Sequence, residues 1–260
     1  MNQPTTIYYF ATCLIDLLYP KAGLAGMQLL RRAGVEVIFP PDQSCCGQPA
    51  FNSGYRKEAL AVARAQLHCF SRDIPIVIPS ASCAGMVKHH WPELFAGQAD
   101  ESQALAVAQR TYELSEFLTD VLSIQLHDLG EPINIAVHHS CTAQREMQVA
   151  DHSQQLLAQL QNVRIQEHER PRECCGFGGT FCVKYPEIST HMVSDKVSNI
   201  EKSGADTLLG GDLGCLLNMS GRLKRLGKPV QVYHTAEVLA GMANIPGIGD
   251  GSTSDESEQS

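Results

Sequence analysis

Glu173-Cys174-Cys175-Gly176-Phe177-Gly178-Gly179 has a partner in Ser44-Cys45-Cys46-Gly47-Gln48-Pro49, with Cys174 lying 129 positions after Cys45. Two vicinal Cys-Cys-Gly motifs in one chain are hard to explain as packing. A vicinal pair puts two soft sulfur donors side by side. The Gly that follows lets the backbone come close and turn an N–H towards a sulfur. The flanking cysteines repeat as well. Cys13 lies 32 positions before Cys45, and Cys141 lies 33 before Cys174. Cys83 lies 37 after Cys46, and Cys215 lies 40 after Cys175. The pattern Cys, Cys-Cys-Gly, Cys therefore occurs twice and takes eight of the ten cysteines, leaving out Cys69 and Cys182.

The elements around these motifs repeat in the same order. In the first half, Ile7-Tyr8-Tyr9-Phe10 reads as a strand that ends at Cys13, and Pro20 opens a helix that Gly34 stops. Val35 to Phe39 is a strand leading to the Cys45-Cys46 loop, and a helix follows from about Tyr55 to Phe70. Ile74 to Pro79 is a strand leading to Cys83. Helical segments follow, one starting at Gly85 and one reaching about Leu122. In the second half, Ile133 to His138 is a strand ending at Cys141, and a helix covers roughly Ser153 to Leu160. Val163 to Glu167 leads to Cys174-Cys175, and Ile188 to Ser203 is helical. Thr207 to Leu209 leads to Cys215, Leu216 to Leu226 is helical, Val230 to Tyr233 is a last strand, and Thr235 caps a helix from Ala236 to Met242. Leu114 to Leu118 echoes Thr235 to Leu239.

This order predicts an α/β fold of two similar Rossmann-like halves with parallel sheets, related by internal duplication. The expected division is residues 1–125 and 126–246, with a disordered tail of Gly, Ser and acid over 247–260. Ligands in such folds bind beyond the carboxyl ends of the strands. All eight patterned cysteines sit after strand ends or in the loops beyond them.

Composition narrows the function. Hydrophobic residues make up 43% and charged residues 18%, which suits a globular core. A net charge of −8 argues against nucleic acid or an anionic membrane as partner. No apolar run reaches the length of a membrane span and no signal peptide is visible, so a cytoplasmic protein, not an integral membrane protein, is expected. In that reducing setting ten cysteines do not read as a disulfide framework. Cys69, in a helix-like run, reads as a small buried hydrophobe.

Structural zinc usually draws on close C-x-x-C pairs. Adjacent cysteines are awkward for one tetrahedral zinc but can reach different atoms of a polynuclear cluster. Ligand type and spacing therefore favour iron–sulfur over zinc for Cys13, Cys45, Cys46, Cys83, Cys141, Cys174, Cys175 and Cys215. Nothing singles out one of the eight as a catalytic nucleophile.

Thr12-Cys13, Cys45 to Tyr55, Pro79 to Cys83, Cys174 to Phe181 and Cys215 to Leu223 resemble the Cys-Cys-Gly domain proteins. These are iron–sulfur proteins related to the Cys-Cys-Gly subunit of heterodisulfide reductase and to the glycolate oxidase iron–sulfur subunit, and they include the lactate-utilisation protein A family. The resemblance covers nearly all of Ile7 to Met242. It implies an iron–sulfur electron-transfer subunit of an oxidoreductase system that turns L-lactate into pyruvate. It also implies one or two 4Fe-4S clusters per chain and two other lactate-utilisation proteins as partners, one an iron–sulfur subunit. The chain departs from the heterodisulfide reductase pattern, where each motif ends C-x-x-C and supplies five cysteines. Ser80 and Asp212 stand at the first position of that pair. Four cysteines per half suit one ordinary four-iron cluster, and count against a five-sulfur centre and a heterodisulfide-type reductase. A zinc-stabilised scaffold is the other alternative.

The remaining candidates carry less. Cys182, whose counterpart is Ser53, reads as a bystander. His138 and His139 lie beside Cys141 and either tune a cluster or are ordinary polar residues at a strand end; His234 is similarly ambiguous. Asp212 reads as a loop acid. Arg222, Lys224 and Arg225 read as a solvated helix face. Gly176-Phe177-Gly178-Gly179 follows a Cys pair rather than a strand, so it is not a dinucleotide fingerprint.

Overall fold

Strand alternation decides how the halves meet. In a strand, neighbouring side chains face opposite sides, so Ile7 and Tyr9 point one way, Tyr8 and Phe10 the other. All four are apolar, so the strand is buried on both faces, which is the mark of a parallel sheet with two covered sides. A computed structural model, describing residues 3–243 and 246–250, has this arrangement. The first half forms a sheet of β1 (Thr6–Tyr9), β2 (Glu36–Ile38), β3 (Ile76–Ile78) and β4 (Thr111–Glu113) in the order β2-β1-β3-β4. The second forms β5 (Ile133–His138), β6 (Val163–Ile165), β7 (Thr207–Gly210) and β8 (Gln231–His234) in the order β6-β5-β7-β8. Every pairing is parallel, with Tyr8 opposite Ile76 and His138 opposite Gly210. The two sheets share one topology, as a duplicated chain requires.

The alternating faces serve two different cores. Ile7, Tyr9 and Val77 join Ile135, Val137, Leu209 and Tyr233 in one cluster, so the faces of the two sheets that look inward share a central core. Phe10, Phe70 and Trp91 fill an outer core in the first half. Val193, Ile200, Leu208 and Met219 fill the outer core of the second. Fully burying an aliphatic or Phe side chain is worth about 1.5–3 kcal/mol. Each half therefore depends on its partner for the burial of one sheet face.

The structure corrects the expected elements in several places. The helical stretch expected up to Leu122 contains β4, which pairs with β3. Thr111-Tyr112-Glu113 favours extended backbone on its own, but its flanks are helix-forming, and pairing to Ile76–Ile78 decides the matter. Thr235 is not the cap of the last helix. His234 is, with its imidazole accepting from the Ala236 amide and its own amide donating to Glu237. Glu113 does the same work in the first half, accepting from Ser115 and Glu116. The expected tail does not begin at Gly247. Ile248 is buried, and its amide donates to the Val232 carbonyl at 2.7 Å. An isolated apolar residue in a Gly-rich run can still fill a gap at a sheet edge. Residues 251–260 lie outside the described residues.

Candidate metal centre

In both sheets the chain leaves its first strand to one side and later returns on the other. The switch points lie between β1 and β3, and between β5 and β7. Cys13 and Cys83 follow β1 and β3; Cys141 and Cys215 follow β5 and β7. Cys13 and Cys141 open the short helices Cys13–Leu18 and Cys141–Arg145. Cys83 and Cys215 lie in the first turns of Ala81–Gly85 and Leu213–Arg225. The spare amides and positive dipole end of a first turn favour a thiolate. The vicinal pairs arrive from the loops after β2 and β6.

The eight sulfurs form two contiguous sets. In the first half, contacts run from Cys13 to Cys45, to Cys46 and to Cys83, the last pair 3.4 Å apart. In the second half, they run from Cys141 to Cys174, to Cys175 and to Cys215. The amides of Gly47 and Gly176 donate to Cys45 and Cys174, each at 3.4 Å. Gly47 has φ +89 and Gly176 has φ +78, and a Cβ on Gly176 would meet the Ser189 carbonyl at 2.8 Å. Only glycine makes this turn without strain.

The loops that carry the pairs are pinned from behind. Trp91 Nε1 donates to the Cys46 carbonyl at 3.0 Å, and Asn218 Nδ2 donates to the Cys175 carbonyl at 2.8 Å. Gln43 ties the first loop to the end of β1, accepting from the Ala11 amide and donating to the Tyr9 and Pro40 carbonyls. Thr12, just before Cys13, is buried at φ +73, the kind of backbone strain that collects at functional sites.

Both sets line one cavity of about 350 Å³, together with His138, Ser80 and Asp212. The electrostatics are those of thiols crowded away from water. Sulfur–hydrogen bonds from Cys13 and then Cys46, with help from the Gly47 amide, pull Cys45 down to about 3. Cys141 and then Cys175, with help from the Gly176 amide, pull Cys174 down to about 2. The same bonds, with burial, push Cys13, Cys46, Cys141 and Cys175 above the ordinary thiol range. Each set thus holds a thiolate stabilised by its neighbours' S–H groups. A metal must displace those protons to take the remaining sulfurs. Soft, dense thiols, two buried and six half-buried, with amide donors beside them fit an iron–sulfur group in each half.

Cys182 does not line the cavity, and its Sγ donates to the Gly179 carbonyl at 3.2 Å. Cys69 Sγ donates to the Ala65 carbonyl, one helical turn away, and the side chain packs against the outer core of the first half, away from the cavity. His139 turns to Gln154. His234 Nε2 lies 3.1 Å from the carbonyls of both Pro79 and Gly211, one from each half. Asp212 Oδ1 accepts from Ser80 Oγ at 2.7 Å and from the Ser82 amide at 2.9 Å, also across the seam. Ser80 and Asp212, one from each half, are thus bonded to each other.

His138 is different from these. It is buried, both ring nitrogens lack a hydrogen-bond partner among the described residues, and a ring nitrogen lies within 4.8 Å of the sulfurs of Cys175 and Cys215. Burial, then the Lys196 charge, lowers its pKa to about 3. Lys196 itself is fully buried. Sequence reasoning missed Lys196, although its place between Val193 and Ile200 sets a cation on the apolar face of its helix. It also missed Trp91 and Asn218, whose roles depend on the loops they reach.

A duplicated parallel α/β chain that gathers two sets of four cysteines at one seam is a metal- or iron–sulfur-binding architecture. The chain belongs to the cysteine-rich (CCG) domain family, whose model matches residues 7–88 and 135–220. Its relatives include lactate utilization protein A of Geobacillus sp. (strain WCH70), 46% identical over 233 residues that make up 88% of this chain and 97% of that one. Lactate utilization protein A of Bacillus pumilus (strain SAFR-032) is 44% identical over 90% of this chain and 98% of that one. Among solved structures, a hypothetical protein from Helicobacter pylori matches with a TM-score of 0.57 at 13% identity, covering 96% of this chain and 51% of that one. That likeness concerns the fold alone, and the chain spans about half of that protein's length.

Proposed function

We propose that this chain is an iron–sulfur electron-transfer subunit of a system that oxidises L-lactate to pyruvate. The observation that carries the proposal is the pair of four-sulfur sets on one cavity, in a chain 46% identical to a protein named for lactate utilization. Cys13, Cys45, Cys46 and Cys83 would hold one centre, and Cys141, Cys174, Cys175 and Cys215 the other. Bound there, 4Fe-4S groups supply one-electron acceptance at potentials set by burial and by hydrogen bonds to sulfur.

Lactate gives up two electrons and two protons on becoming pyruvate. Two one-electron sites on one cavity match that electron count. The chain's own residues fix the sulfurs and limit water. The Gly47 and Gly176 amides stabilise thiolate charge at Cys45 and Cys174, and Trp91 and Asn218 hold the loops. Asp212 and His234 keep the halves in register. The dehydrogenation step belongs to the two other lactate-utilisation proteins that would be its partners in the cytoplasm.

The test is iron and acid-labile sulfide per chain, with EPR, on anaerobically purified protein. About four to eight irons with matching sulfide, and a signal that changes on reduction, is the expected result. Zinc without sulfide, or no redox-active signal after reconstitution, overturns the proposal in favour of a zinc-stabilised scaffold.

A further inference from the structure

The duplication supplies an internal control, because the strands, helices and cysteines of one half have counterparts in the other. Counting back from Cys13 and Cys141, Phe10 corresponds to His138. Phe10 is buried in the outer core against Phe70, with ring centroids 5.3 Å apart. His138 is buried too, but neither ring nitrogen has a hydrogen-bond partner among the described residues, and one lies within 4.8 Å of the sulfurs of Cys175 and Cys215. The helices behind the vicinal pairs differ in the same sense. Gln66, on the helix Arg56–Leu67, pins the first loop by accepting from the Ser44 amide and donating to its hydroxyl. Lys196, on the helix Pro186–Lys202, pins the second by donating to the Arg170 and Pro171 carbonyls, with His168 Nε2 at 3.0 Å. Both side chains are buried, but Gln66 is a neutral amide and Lys196 an ionisable amine.

Those contacts of Lys196 are with neutral groups. Glu173, the acid beside it, is engaged by Asn199 at 3.1 Å and by Arg170 at 3.5 Å. Burial lowers the pKa of Lys196, and Glu173 first, then Cys175, Cys174 and Cys141, oppose that shift by favouring its charge. A buried charge is poorly screened. A reduced centre carries one more negative charge than an oxidised one, so a fixed cation stabilises the reduced form. An imidazole N–H close to the sulfurs acts in the same direction, since hydrogen bonds to sulfur offset the added negative charge.

We propose that the two halves would hold unequal redox centres: the second, whose sulfurs a His138 nitrogen approaches within 4.8 Å and whose loop the buried Lys196 pins, would have the more positive potential, so that one added electron would rest there. This rests on the iron–sulfur reading above. It gives the molecule a direction, with the first half as the entry side and the second half as the resting place of the electron.

The experiment is a potentiometric titration followed by EPR on the full chain loaded with iron and sulfide, with and without ¹⁵N-labelled histidine. Expected are two separate potentials, with histidine nitrogen hyperfine coupling at the centre reduced first. Lys196→Gln and His138→Phe install the first half's own residues. Each should lower the more positive potential by at least a tenfold change in its reduction equilibrium, which is 59 mV for one electron, and leave the other in place. Should either variant lose iron, Gln66→Lys supplies the reciprocal test and should raise the lower potential. Coincident potentials, a first-reduced centre without nitrogen coupling, or a Lys196→Gln shift in the lower potential instead would overturn the ordering alone. Failure of the iron–sulfur reading is distinguishable: the chain would then lack iron and sulfide altogether, and the ordering would fall with it.

Discussion

The carboxylate of Asp212 is committed across the seam between the halves. Oδ1 accepts from Ser80 Oγ at 2.7 Å and from the Ser82 amide at 2.9 Å, both in the other half, and Asp212 is 4% exposed. Asp212→Ala removes both bonds. Ser80 Oγ keeps a second partner in Ser82 Oγ at 3.1 Å. The Ser82 amide is half-buried on the cavity wall, so losing its acceptor costs about 1 kcal/mol. Adding a net loss of about 1 kcal/mol for the Ser80 bond gives a destabilisation of about 2 kcal/mol. Asp212→Asn keeps an acceptor oxygen in place and should cost about 1 kcal/mol. The assay is urea unfolding of the metal-free chain, read as a shift in midpoint at unchanged slope. Iron content after loading is the companion measurement, because a seam clamp and an iron ligand differ there. The clamp predicts that Asp212→Asn keeps the full iron complement. An asparagine variant as unstable as alanine, or one of wild-type stability that has lost iron, refutes the reasoning.

Other predictions concern the sulfurs, the buried acid and the shared core. Cys46→Ser and Cys175→Ser should each remove about half of the iron and sulfide, while Cys69→Ser and Cys182→Ser keep all of it; a colorimetric iron and sulfide assay decides, and equal losses from all four would refute the assignment. Burial raises the Glu113 carboxyl to about 7 from its ordinary 4.5, so the fold holds this proton more tightly than the unfolded chain. That contribution, at most about 3 kcal/mol, is full below pH 4.5 and is lost as pH rises through 7. His138 runs the other way: its folded value near 3 means stability is gained as pH rises from there to 6.5. The two slopes oppose each other in the wild type. The stability difference between wild type and Glu113→Gln isolates the acid, and should fall between pH 4.5 and 7 and then level off. A difference flat across that window would sink the assignment. Residues 1–125 expressed alone should fail to unfold cooperatively, because Tyr9, Val77 and Leu114 would lose the partner face of the central core; a sharp two-state urea transition for that fragment would contradict it.

What was legible in the sequence, and what was not, divides along one physical line. Strands such as Ile7–Phe10 and Ile133–His138 announced themselves through local apolar runs, and the cysteine spacing announced the duplication, because both are properties of the chain in order. The sulfur sets followed from these two, since parallel topology brings strand ends together whatever the loops contain. The misses are residues whose role exists only across a distance in sequence. β4 is a strand because Ile76–Ile78 accepts it, not because Thr111-Tyr112-Glu113 insists on it. Asp212 reads as a loop acid until Ser80 is placed beside it, 132 positions away. Lys196 reads as one more charge on an amphipathic helix until the turn at Pro171 closes over it. The repeat could still have exposed the last of these. Set against the first half, Phe10 with His138 and Gln66 with Lys196 are apolar or neutral residues changed to imidazole and cation at buried sites. Burying such groups is costly, and that cost falls only on the half whose sulfurs they face. Duplication makes the halves alike in fold; these two substitutions are where the chain has stopped being symmetric.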